Sequence, residues 1–209
     1  MLPLTKAPLE ITQFDPIEAR RLHFYGRGEN IPLVPQGFWQ VYQGLVQLST
    51  INDNGEDVLL GWAGSSTFFG LWLTNLQTYQ ARTLTDVYVK WFSLSEIEAS
   101  PRLAQILVPQ LGRRMRQTEA LLAIVGQRRV EDRLHKLLVL LKQEIGQPGA
   151  EGTRLSVRMT HQNLANAICT TRVTITRLLS KFQQQGWIGF DRDRHIILKD
   201  SSFANFAEL

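Results

Sequence analysis

Between residues 159 and 188 the chain reads MTHQNLANAICTTRVTITRLLSKFQQQGWI, and its cationic and hydroxyl side chains fall at spacings that suit a polyanion. Thr160 can cap a helix with Leu164, Ala165 and Ile168 on its inner face, and Thr170 and Thr171 offer a second N-cap soon after. Ile175, Leu178, Leu179 and Phe182 then recur at i, i+3, i+4 and i+7, a stripe that faces inward. The same helix turns Arg172, Val173, Thr176 and Arg177 outward near its start. Two helices joined this way, the second with arginines at its exposed N-terminus, have helix-turn-helix spacing. Laid in the major groove of double-stranded DNA, such an arginine grips guanine O6 and N7, worth about 1–3 kcal/mol of discrimination per contact. Hydroxyls and free N–H groups at the helix starts can hold phosphates, which fixes register but carries no base identity.

The turn position usually filled by Gly is Cys169. Either the turn is remodelled, or this residue accepts a left-handed backbone at about 1–3 kcal/mol of strain. Its plain role is a small, half-buried, inert thiol. Past Gly186, residues 187–190 and 195–198 read as two short strands around the charged turn DRDR, a wing. Arg192 and Arg194 at its tip are candidate phosphate contacts; the alternative is a hairpin that only covers the helical core with Trp187 and Ile196.

These helices need a scaffold. Residues 31–93 read as short strands with turns every 8–12 residues, with Asn52-Asp-Asn-Gly55 as a tight-turn signal, so residues 1–98 are expected to form a β domain. At Ser100-Pro101 the pattern turns helical. Leu111, Met115, Thr118, Leu122 and Val125 follow at spacings of four, three, four and three, the rhythm of a coiled-coil seam. A dimerisation helix over 99–127 is expected; the alternative is a helix packed on its own β domain. A further helix over about 130–145 leads into Gly146, Pro148, Gly149 and Gly152, read as a loop, with the hinge nearer residues 126–129. Residues 128–209 then form the second domain. The fold class is α+β.

Hydrophobic residues make up 44% of the 209, which supports a packed core and excludes a disordered chain. One cysteine excludes an intrachain disulfide and a self-contained iron–sulfur cluster. No stretch approaches the roughly 18 apolar residues of a membrane helix. The opening MLPLTKAPLEITQFDP lacks the layout of a signal peptide, so a cytoplasmic protein is expected. Residues 1–127 carry ten Lys/Arg against eleven Asp/Glu, and residues 128–209 thirteen against eight, which places the polyanion partner on the back half.

Quoted in full, THQ…A-x-A-I…TRVTITRLL resembles the winged helix of the CRP/FNR family, and within it the cyanobacterial nitrogen-control regulators most of all. The resemblance extends over nearly the whole chain. It implies an N-terminal β-roll of cyclic-nucleotide-binding type, a long dimer helix containing RMRQTE (residues 114–119), and a homodimer that binds DNA. It implies base readout by Arg172, Val173 and Arg177, with Thr160, His161, Gln162, Thr171 and Thr174 near the phosphates; Lys181, further along the same helix, is a further candidate backbone contact. It further implies a GTA/TAC inverted repeat with about eight base pairs between triplets, so that half-sites lie about one helical turn apart. By family habit the output is activation through RNA polymerase.

For the effector, the resemblance points to Gly70, Leu71, Arg82, Arg114 and Glu119. The family's cyclic AMP (cAMP) sensors use a Gly-Glu pair and a downstream Arg-Ser. Here Gly70 is followed by Leu71, the stretch 77–81 reads QTYQA, and Arg82 falls in the next strand, which argues against cAMP. For 2-oxoglutarate, Arg114 and Glu119 match the dimer-helix residues, but Tyr79 stands where the second arginine belongs. An ion pair on the dimer helix is the other reading of Arg114 and Glu119. His23, His135, His161 and His195 are scattered, so no haem is expected. A metal-binding or enzymatic β-barrel would need clustered ligands on its strands, and the strands supply none, so no enzyme is expected. A small-molecule or protein-interaction module without DNA binding is opposed by the outward arginines.

Overall fold

A computed structural model describes residues 20–199 and Phe203. The opening segment, read above for a signal peptide, lies outside the described residues.

Strands β1 (Leu22–Tyr25), β2 (Gly37–Gln43), β3 (Val46–Ile51), β4 (Asp57–Ala63), β5 (Phe68–Phe69), β6 (Gln80–Thr83) and β7 (Val87–Ser93) form two antiparallel sheets. Their orders are β1-β7-β2-β5 and β4-β3-β6. Alternation along the strands puts Trp39, Val41, Val46, Leu48, Val87 and Val89 between the sheets, all buried. The opposite face of β2 and β7 carries Phe38 and Phe92, which pack with Phe68, Leu103 and Leu107. The β3–β4 ladder slips between Leu48 and Ser49: Leu48 faces Gly61 and Ser49 faces Leu59, which leaves Leu60 as a bulge.

A short helix α1 (Leu94–Ala99) follows within the stretch read above as β domain. Its signal is the capping box Ser93-x-x-Glu96, with both reciprocal bonds formed. Helix α2 (Pro101–Val125) starts as expected, with Pro101 in the first turn and the Ser100 hydroxyl accepting from the Leu103 N–H. Its two faces have different fates. Leu103, Leu107, Leu121 and Ile124 are buried within the chain, whereas Val108, Met115 and Leu122 are 66%, 64% and 70% exposed. Thr118 is also exposed, and Leu111 and Val125 are half-buried at the margins of that stripe.

Helix α3 (Val130–Ile145) leads into β8 (Gly146–Gly149) and β9 (Gly152–Leu155). The Gly/Pro-rich stretch read as a loop is therefore a hairpin, and β9 also pairs with β11 (Ile196–Leu198). Gly152 makes this register possible: its φ is +129°, and a Cβ there would lie 2.2 Å from the Leu198 carbonyl oxygen. With β10 (Ile188–Phe190) the order is β10-β11-β9-β8. Helices α4 (His161–Ala167) and α5 (Arg172–Gln184) pack on this sheet and on α3 through Leu134, Leu138, Leu164, Ile175, Leu179 and Phe182. Leu45 and Trp62 of the β-roll join the same apolar cluster, so the two halves share one core. No helix among the described residues is long and apolar enough to cross a membrane.

Candidate nucleic-acid interface and effector cavity

Thr160 caps α4 in a box with Asn163, and the Thr171 hydroxyl caps α5 by accepting from the Thr174 N–H at 3.2 Å. Between them Cys169 has φ 52°, so it takes the left-handed conformation and the turn is not remodelled. Thr170 N–H donates to the Ala165 carbonyl at 3.0 Å. The Arg133 guanidinium donates to the carbonyls of Gln127 and Ile168, at 2.8 and 3.2 Å, and so ties the hinge to the turn. The Cys169 thiol is exposed, contrary to the half-buried thiol expected, because a left-handed residue at a helix–helix turn points away from the packed faces.

This framework leaves Arg172, Val173 and Arg177 on the outer side of α5, with Val173 78% exposed. Among the described residues the guanidiniums of Arg172 and Arg177 make no hydrogen bond or ion pair. Beside them lies a cleft of about 480 Å³ lined by Arg158, Thr160, His161, Arg172, Phe190 and Arg194. Arg158 escaped the sequence reading; the signal was a basic residue two positions before the Thr160 cap. His161 Nδ1 is 2.7 Å from the Thr176 hydroxyl. Burial, and then the nearby Arg172 and Arg194 charges, lower its pKa from the ordinary 6.5. The hydroxyls of Thr171 and Thr174 are 2.9 Å apart, and Gln162 donates to Asn166 at 2.6 Å.

The wing forms as expected, with Arg192 exposed at the turn and the Arg194 guanidinium 5.4 Å over the Phe190 ring. Asp191 accepts from Arg154 Nε at 2.6 Å and from the His195 N–H at 2.8 Å. Desolvation works to raise the Asp191 carboxyl, but these bonds and the His195 and Arg154 charges outweigh it and hold it at about 2. Arg154 is thereby committed to the wing base. Lys181, expected at the backbone, lies in the last turn of α5 and pairs with Glu131 at 2.7 Å.

The five residues expected at an effector pocket do not converge. A cavity of about 380 Å³ lies between the β-roll and α2, and of the five only Arg114 lines it. Glu119 faces a separate groove with Arg113 and Arg116, because five residues along a helix place it about 140° round from Arg114. Arg82 donates to the Gly28 carbonyl at 3.0 Å and borders a cleft facing α4, because β6 pairs with β3 on that side. Gly70 is buried against Phe38, and Leu71 packs on the inter-sheet core. Tyr79, Leu60, Leu73, Leu76, Leu111 and Met115 are the unforeseen or reassigned wall residues. The Arg114 guanidinium fits because residue 61 is glycine: a Cβ there would lie 2.7 Å from Nη1. Gln117, beside it, accepts from the Trp62 N–H at 2.8 Å and stitches α2 to β4.

An antiparallel β-roll, a long helix with one unpartnered face, and a helix-turn-helix with a four-stranded wing define a DNA-binding transcription regulator. The model of the Crp-like helix-turn-helix domain matches residues 132–202. Over 177 residues, the chain is 36% identical to the regulatory protein CysR of Synechococcus elongatus, covering 83% of this chain and 82% of that one. It is 29% identical over 202 residues to the global nitrogen regulator of the same organism, covering 90% and 86%. Among solved structures, FixK2 from Bradyrhizobium japonicum superposes with a TM-score of 0.75 at 20% identity, covering 91% of this chain and 98% of that one. The chain belongs to the CRP/FNR family of transcription regulators, and it is not an enzyme.

Proposed function

We propose that the chain works as a homodimer on a GTA/TAC inverted repeat, each copy placing the start of α5 in one major groove. The observation that carries this reading is the pair of exposed arginines, Arg172 and Arg177, without partners among the described residues. A cation already paired would have to break its bond to reach a base; these two need not. Thr160, His161, Gln162, Thr171 and Thr174, with Arg158, Arg192 and Arg194, line the path of the phosphates, and Lys181 contributes at long range. The exposed stripe Met115–Thr118–Leu122 is the seam against the second copy, whose distance sets the half-site spacing. In this division residues 1–98 sense, 99–127 pair and 128–209 bind DNA. Activation through RNA polymerase is the output expected of the family.

The cavity beside Arg114 is the effector site in this reading, and strand β4 is its link to DNA. Leu60 and Gly61 meet the cavity and the Arg114 guanidinium. Glu56, Asp57 and Val58, at the other end of the strand, border a cleft with Thr170, Thr171 and Arg172. Asn163 on α4 also donates to Gln47 on β3, at 3.4 Å. A ligand that shifts β4 therefore changes how two carboxylates sit before the recognition helix, favouring whichever arrangement it binds more tightly.

The test is fluorescence anisotropy at fixed salt with the repeat and a scrambled duplex, each with no ligand, with 2-oxoglutarate and with cAMP. Preference for the repeat is expected in at least one condition. Equal affinity for both duplexes under every condition would contradict the assigned readout.

A further inference from the structure

The chemistry of the cavity narrows what it can hold. Its walls are Leu60, Leu73, Leu76, Leu111 and Met115, and they offer no hydrogen bonds. Both threonine hydroxyls at its edge are engaged within the chain: Thr118 donates to the Arg114 carbonyl at 3.1 Å, and Thr74 accepts from the Leu76 N–H at 3.1 Å. Thr74 keeps its O–H at the rim, and the wall itself carries two polar groups, the Arg114 guanidinium and the Tyr79 hydroxyl. Arg114 has one long bond, 3.4 Å to Gln117, and no carboxylate partner among the described residues. Burial pushes its pKa down against the opposing influence of Tyr79 and, beyond the cavity wall, Glu144; burial pushes that of Tyr79 up against the influence of Arg114, so the two groups share one small electrostatic site. The guanidinium is half-buried at the cavity wall with most of its five donors unused, so an anion in the cavity can take them.

The lining carries one cation and no anion, so it can neutralise one charge. A second carboxylate would sit among leucines without a cation, and with Arg114 and Tyr79 holding its phosphate the hydroxyls and base of a nucleotide would find only the rim threonines. We propose that this cavity takes a monocarboxylate with an apolar body. The carboxylate accepts a bidentate pair from Arg114 and a third bond from the Tyr79 hydroxyl, and the aliphatic or aromatic remainder lies against the leucines. This rests on the reading of the cavity as the effector site, and the exposed Met115 side of α2 means that the partner copy would close it.

Calorimetric titration of the full chain with hexanoate, glutarate, 1-hexanol and cAMP tests the ligand class directly. Hexanoate is expected to bind, with glutarate and hexanol at least about tenfold weaker, since each fails on one element of the site. Arg114→Met should abolish hexanoate binding without lowering the melting temperature, because it removes a half-buried charge that makes only one long hydrogen bond and keeps the volume. Tyr79→Phe should weaken binding severalfold. Glutarate or 2-oxoglutarate binding more tightly than hexanoate, or hexanoate binding equally to Arg114→Met, overturns the proposal. Anisotropy on the repeat, run in parallel, separates the two layers. Hexanoate that binds through Arg114 yet leaves DNA affinity unchanged supports the ligand class and sinks the effector reading. A DNA response to 2-oxoglutarate without hexanoate binding does the reverse.

Discussion

On the winged half of the molecule, Arg158, Arg172 and Arg177 stand in solvent with no hydrogen bond or ion pair among the described residues. On the β-roll half, Arg114 is withdrawn between β4 and α2, against Gly61 and leucines. An exposed guanidinium costs little to keep and is available to any phosphate or base edge. A half-buried one, such as Arg114, gives up part of its hydration, and an anion meeting it offsets that loss. On the proposed reading the same side chain serves two kinds of recognition: long-range attraction of a polyanion, and selection of a single small anion.

The comparison can be broken from several sides. The largest effect is expected on α2, where neighbouring leucines face opposite ways. Leu121→Ala should destabilise the chain by about 2–5 kcal/mol in chemical denaturation, because it empties a buried site. Leu122→Asp should leave the fold intact and drive sedimentation toward monomer. If Leu122→Asp unfolds the chain and leaves the oligomer unchanged, the division of faces is wrong. Next, Arg172→Ala should lose about 1–3 kcal/mol on the repeat and little of that on scrambled DNA. A smaller gain is expected from Glu56→Gln with Asp57→Asn: DNA affinity should rise about two- to fivefold at low salt, and the gain should shrink as salt rises. An unchanged affinity would sever β4 from the recognition helix.

A pH titration sharpens the picture further. The His161 pKa lies below 6.5, so the unfolded chain takes up the proton more readily, and the free protein should lose stability as pH falls through that window. Bound phosphate favours the charged imidazole, so DNA affinity should rise over the same window by about twofold, and His161→Asn should flatten both trends. The smallest effect is Lys181→Ala, less than about twofold on any sequence, since Glu131 already holds that ammonium.

Local chemistry made much of the DNA-binding half legible. The inward stripe of α5 and both threonine caps depend on residues within a few positions of one another and are visible in the spacing, whereas a cysteine at the turn leaves its left-handed backbone open until the structure gives φ 52°. The β8–β9 hairpin was hidden because glycine and proline signal a loop, while its register is set by β11, more than forty residues away. The cavity was harder still. Arg114 was visible on the dimer helix, but its company was not: Leu60 and Gly61 reach it because β4 bulges and packs on α2, and Tyr79 comes from the residue just before β6. Gly70 and Glu119 are grouped with Arg114 by the resemblance, and Leu71 and Arg82 by their nearness in sequence to the expected anchors; all four lie outside the cavity that Arg114 lines. Arg158 could have been suspected from its place before a cap, and α1 from its Ser-x-x-Glu box.

The most direct test of the central claim, two copies each inserting α5 into one half-site, is to change the spacer between the triplets. Affinity is compared for a GTA/TAC repeat with about eight intervening base pairs and for one lengthened by about five, half a helical turn. A rigid two-fold dimer predicts that the lengthened repeat falls close to scrambled DNA, because the second recognition helix then meets the wrong face of the duplex. Equal affinity for the two spacers would contradict the account.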